Sequence, residues 1–122
     1  MKRKFKKKRF SNSGLIEVFD HYQDKHNIRM YYGILSGWKK GTVLYGLEVS
    51  VYKDKINTKG GLIYSWPVGD ENGCDLSLVE SGLCESLELL KGNKPARRWF
   101  RKKLDLLKIG DTKLTDIVRV KW

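Results

Sequence analysis

Cysteine, histidine and proline each occur only twice in this chain of 122 residues. Cys74 and Cys84 are too few for a disulfide framework, and no second Cys/His pair accompanies them as a structural zinc would require. His21 and His26 are the only imidazoles available for acid–base chemistry. On the helix expected there, Asp20 and His21 are adjacent and cannot face one target. Long apolar runs are also missing. None approaches the ~20 residues of a spanning helix, and the charged start lacks the apolar segment of a secretory signal. The expectation is a mature, soluble, cytoplasmic chain with no membrane partner.

Enzyme signatures are absent as well. The sequence holds no nucleophile elbow, phosphate-cradling glycine loop or zinc-protease helix. Glu48 and Lys53 lack the acid-x-lysine spacing of a metal-dependent nuclease strand. Asp70, Glu71 and Asp75 read as a solvated turn before a helix N-terminus, where negative charge is favoured, rather than as a cation loop. The reading is therefore non-enzymatic, with no catalytic residue, no metal and no cofactor.

Positive charge is abundant and sorted. Lys and Arg number 25 against 14 Asp and Glu, a net charge of +11. Seven of the cations lie in MKRKFKKKRF: Lys2, Arg3, Lys4, Lys6, Lys7, Lys8 and Arg9. Asp70 to Leu90 carries six acids and no base, and Lys91 to Lys108 carries eight bases against Asp105. A general solubilising charge would not be segregated in this way.

Residues 1–13 are read as a basic arm and 14–122 as one domain, with 40% hydrophobic residues to supply a core. The expected class is α+β: a three- to four-stranded antiparallel sheet with helices packed on one face. In LIEVFDHYQDKHN, Leu15, Ile16, Phe19 and Tyr22 recur at helical spacing and predict a helix, with a strand as the rival. IRMYYGIL alternates Ile28, Met30, Tyr32 and Ile34 with Arg29, Tyr31 and Gly33. TVLYGLEVSVYKD alternates Val43, Tyr45, Leu47, Val49 and Val51 with Thr42, Glu48, Ser50 and Tyr52. GWKKG and KINTKGG read as turns, and LIYSWPV as a third strand that Pro67 ends or confines to an edge.

Two helices are expected next. In SLVESGLCESLELLKG, Ser77 and Glu80 have capping-box spacing, Val79, Leu83, Leu87 and Leu90 form a stripe, and Gly92 closes the helix. NKPARRWFRKKLDLLKIG opens at an Asn/Pro boundary. It sets Ala96, Trp99, Phe100, Leu104 and Leu107 opposite Arg97, Arg98, Arg101, Lys102 and Lys108. KLTDIVRVKW reads as a closing strand with Val118, Val120 and Trp122 inward.

Clustered cations that reach several phosphates are the main requirement for nucleic-acid affinity. The arm supplies flexible ones. Arg97, Arg98, Arg101 and Lys102 supply a rigid ladder, with the bidentate geometry of arginine. Exposed rings on which unpaired bases stack would favour single strands. Strand alternation points Tyr31 and Tyr52 away from the apolar face, and Trp38 sits in a turn beside Lys39 and Lys40. Tyr32, Tyr45, Trp66 and Trp99 fall in phase with core aliphatics.

The order helix, three strands, helix over residues 15–91 resembles the double-stranded RNA-binding domain. That family grips phosphates with lysines opening its second helix, whereas Ser77 to Glu88 is acidic here. GWKKG, IYSWP and LSLVESGLCESL together are similar to the transcriptional-coactivator-like single-strand binders. That resemblance implies a curved sheet leading into a helix that opens Leu-Ser, and a homodimer. Neither carries a family-specific motif, and no family is assigned.

The reading is a non-catalytic nucleic-acid binder that prefers single-stranded DNA or RNA over duplex. Its first rival is a small phage-type modulator occupying the groove of a nucleic-acid-processing protein, and its second a genome-packaging particle protein. The expected partners are accordingly nucleic acid, such a processing protein, and a second copy of the chain.

Overall fold

The computed structural model describes residues 15–35, 44–53, 56–65 and 76–118. Four strands, β1 (Leu15–Gln23), β2 (Ile28–Leu35), β3 (Leu44–Lys53) and β4 (Ile56–Tyr64), form an antiparallel meander in chain order. Two helices follow, α1 (Leu76–Leu89) and α2 (Lys94–Leu104). A two-residue hairpin, β5 (Lys108–Ile109) with β6 (Thr112–Lys113), and a helical turn, α3 (Leu114–Ile117), complete the described chain. The class is α+β, with helices packed against an antiparallel sheet.

The first segment is a strand and not the expected helix. Its pairing with β2 shifts register between Leu15 and Glu17 and again between Val18 and Asp20. Each bulge adds an unpaired residue and flips the alternation, so the apolar residues of a strand come to lie at near-helical spacing. The helix-first order of a double-stranded RNA-binding domain is therefore not present. After the sheet, the next described element is the helix that opens at Leu76-Ser77.

β2 and β3 pair without irregularity over their whole overlap, from Ile28 opposite Val51 to Leu35 opposite Leu44. This register lines Met30 with Val49 and Tyr32 with Leu47 on one face, where β4 adds Ile63 opposite Leu47. Onto these residues pack Val79, Leu83 and Leu90, followed by Ala96, Phe100, Leu104, Leu107, Leu114 and Val118. Leu87 of the expected α1 stripe is only half-buried. Tyr45, placed in the core by alternation, is 39% exposed, its ring tilted against Phe19 and Tyr32.

The expected KINTKGG turn is largely β4 itself. Glycine normally weakens a strand, but here it lets α1 sit directly on the sheet. A Cβ on Gly61 would stand 2.6 Å from the Gly82 carbonyl oxygen and 2.7 Å from Ser86 Oγ. A Cβ on Gly82 would run into the backbone of Leu62. Gly92 leaves the second helix boundary with φ +77°, the left-handed conformation that glycine adopts freely. α2 ends at Leu104, earlier than expected, and Leu107 is buried from the turn that follows. The expected C-terminal strand is instead the α3 turn as far as Ile117, with Val118 buried; Val120 and Trp122 lie outside the described residues. No helix among the described residues is long and apolar enough to cross a membrane.

Candidate nucleic-acid interface

α2 is built by ordinary helix chemistry. The Asn93 side-chain oxygen accepts the Ala96 N–H at 3.2 Å, and Pro95 sits in the first turn, where its missing N–H costs nothing. Ala96, Phe100 and Leu104 are fully buried. The opposite face exposes Arg98, Arg101 and Lys102, with Arg97 half-buried. From Lys94 to Lys102 the helix rises ~12 Å, over which a B-form strand advances three to four phosphates. Arg101, Lys102 and Lys103 in the last turn complement the helix dipole. Lys94, Arg97 and Arg98 at the other end oppose it, and the first turn holds no acid to offset them. The helix dipole therefore does not account for the cations at this end.

Lys103 is a cation of this segment that is committed internally. Its ammonium pairs with the Asp20 carboxylate on β1 at 2.6 Å and lies 5.3 Å from the Trp99 ring centre. Trp99 is half-buried, tilted against Tyr22 at 6.0 Å. Trp99 and Lys103 thus clamp α2 to β1.

The two tyrosines expected as exposed stacking platforms are buried. Both Tyr31 and Tyr52 are only 6% exposed, and Glu48 between them is 5% exposed. They do lie away from the face on which the helices pack, as alternation requires, but they are buried there as well. The Arg29 guanidinium lies 4.2 Å above the Tyr52 ring centre, and the exposed His21 ring stacks on Tyr31 at 6.3 Å and 20°. The Tyr31 hydroxyl is pushed upward, first by burial and then by Tyr52, with the charge and hydrogen bond of Arg29 opposing. Burial first, then Glu48, likewise raises Tyr52. Sequence alternation separates the two faces but carries no signal that both are buried. The remaining expected contacts, Lys2, Arg3, Lys4, Lys6, Lys7, Lys8, Arg9, Trp38, Lys39 and Lys40, lie outside the described residues, as do Trp66 and the acids Asp70, Glu71 and Asp75.

A feature without sequence signal joins the β1–β2 turn to the start of α2. Asp24 Oδ2 accepts the Tyr22 hydroxyl and the Asn93 amide N–H, each at 2.8 Å. Its Oδ1 accepts the backbone N–H of His26 at 2.9 Å and of Ile28 at 3.3 Å. Asn27 holds the turn at φ +66°, a conformation asparagine tolerates. Asn93 therefore caps α2 with one end and anchors it to the sheet with the other. Burial pushes the Asp24 carboxyl up, but the hydrogen bonds from Asn93, Tyr22, His26 and Ile28 outweigh it and hold the group below the usual carboxylate range. The Tyr22 hydroxyl is pushed up to about 12 by burial, then by its hydrogen bond to Asp24 and that residue's charge.

A carboxyl depressed by folding stabilises the fold above its unfolded value, near ~3.9, and that contribution is lost as pH falls through the lower folded value. Resistance of the intact chain to urea is therefore expected to fall with acid below pH ~4. Asp24→Asn should be less stable at neutral pH and lose less on acidification. Parallel curves for the two proteins between pH 5 and 2 would show that Asp24 is not the titrating link.

Among the described residues no group of three His, Cys, Asp or Glu could hold a metal ion, and Cys84 is a free, exposed thiol. Compared with known proteins, the chain matches no family model, no curated protein and no solved structure.

Proposed function

We propose that this chain is a non-catalytic nucleic-acid-binding protein that grips phosphates with the outer face of α2. The observation that supports it is the division of that helix. Ala96, Phe100 and Leu104 are wholly buried, while Arg97, Arg98, Arg101 and Lys102 form one face, half of it set against the helix dipole. The basic run at residues 2–9 supplies a second set of phosphate contacts by its composition. A preference for single strands rests on Trp38 with its neighbours Lys39 and Lys40, since Tyr31 and Tyr52 are enclosed.

The test is the salt dependence of binding. Changing Arg97, Arg98, Arg101 and Lys102 together to Gln is expected to reduce the log K against log salt slope by ~0.7 per lost contact on single strands, or ~0.9 on duplex DNA. A full set corresponds to about 3 units. Surface changes shift stability by only ~0.5 kcal/mol each, so the variant should stay folded. A folded variant with an unchanged slope would refute phosphate contact by α2 and favour a protein partner, as in the enzyme-modulator reading.

A further inference from the structure

We infer that the junction between the β1–β2 turn and the start of α2 is a binding site for a single nucleotide unit, its phosphate held by lysines and its base laid on an apolar floor. The inference rests on the nucleic-acid reading above and deepens it. The junction is a cleft of about 750 Å³, within the ~300–1,000 Å³ of small-ligand sites. Its rim carries Lys25 and His26 from the turn and Lys91 and Lys94 from the approach to α2. All four are exposed. Its apolar surface comes from Ile28, Val51, Leu89 and Pro95.

Among the described residues the acid lining the cleft is Asp24 alone, and both of its oxygens are already occupied by four donors. Three lysines therefore face one internally satisfied carboxylate, and the cleft presents net positive charge to a ligand. An apolar cleft with such a rim suits a ligand that is anionic at one end and flat and apolar at the other. A free phosphate would leave the floor unused. A neutral apolar ligand would leave the lysines without a partner. Lys94 is also the first residue of α2, so a strand whose phosphates track the Arg97, Arg98, Arg101 and Lys102 face reaches this cleft with its next nucleotide.

The probes are adenosine monophosphate, adenosine and inorganic phosphate, titrated into the full chain at low salt and followed by calorimetry and amide shifts. The monophosphate is expected to bind at least tenfold tighter than either fragment, with shifts at Ile28, Val51 and Leu89. Lys91→Gln with Lys94→Gln should weaken it at least tenfold, about the loss of one charge-assisted contact if only one of the two lysines touches the phosphate and more if both do. At about 0.15 M salt, where charges more than ~8 Å away are largely screened, the four-residue α2 variant should lose less affinity for the monophosphate than the Lys91/Lys94 variant, which separates this site from the ladder. Competition between monophosphate and a decamer would place a nucleotide of the strand in the cleft; simultaneous binding would make the ligand a free nucleotide. Phosphate binding as tightly as the monophosphate, shifts confined to other residues, or a folded double variant with parental affinity would each overturn the inference. If the cleft binds and the ladder's salt slope is unchanged, the nucleic-acid reading fails while the nucleotide site stands.

Discussion

Gly82→Ala is expected to destabilise the protein by about 3 kcal/mol, at the upper end of overpacking costs. The sign is the informative part. In an exposed helix interior, replacing Gly by Ala stabilises by ~1 kcal/mol. At Gly82 the added methyl would run into the Leu62 carbonyl group and backbone N. Backbone atoms of a paired strand cannot swing aside as a flexible side chain can, so α1 must lift from β4. Lifting it opens the contact between Val79, Leu83 and the buried sheet residue Ile63. Against a typical total stability of ~5–15 kcal/mol, this is a large share. Urea unfolding midpoints would read it, with Ser81→Ala on the exposed side of the helix as the neutral control. A more stable Gly82→Ala protein would mean that α1 does not lie this close to the sheet.

Phe100→Ala is the larger loss, ~3–5 kcal/mol for deleting a buried aromatic side chain. Phe100 is fully buried and belongs to the same cluster as Leu83, Leu90 and Leu104, so the void has little surrounding freedom to collapse into. Function should fall with it. The basic face of α2 is held in place by the side chains beneath it, chiefly Phe100, with Asp20–Lys103 and Asp24–Asn93 at its two ends. Arg98→Ala, two residues away on the exposed face, should change stability by ~0.5 kcal/mol or less. Equal denaturation midpoints for Phe100→Ala and the parent would refute the packing described for α2.

How much was legible depended on whether a segment's environment is written in its neighbours. α2 was legible because a 3.6-residue apolar period, Asn93 and Pro95 all point to the same helix. The α1 stripe through Val79, Leu83 and Leu90 and the closing Gly92 were legible for the same reason. β1 was not, since its two bulges erase the period of two that marks a strand. β4 was misread because Gly60 and Gly61 look like turn chemistry, whereas Gly61 is small on account of Gly82, twenty-one residues later. The nucleotide cleft had no signal, because Asp24 and Asn93 meet only in the folded chain.

The amino-acid sequence by itself determined the α+β class, the helical amphipathicity and the separation of acidic from basic segments, all of which follow from short-range periodicity and composition. Tertiary structure alone decided which polar residues are enclosed and which cations stay available. Strand alternation sets the direction of Tyr31 and Tyr52, but the His21 and Arg29 side chains that lie against them are brought there by the pairing of adjacent strands. Lys103 and Lys102 are neighbours of one type. One is bound to Asp20 across the β1–α2 contact and the other faces outward, because a 100° step along a helix turns one side chain to the sheet and the next toward solvent.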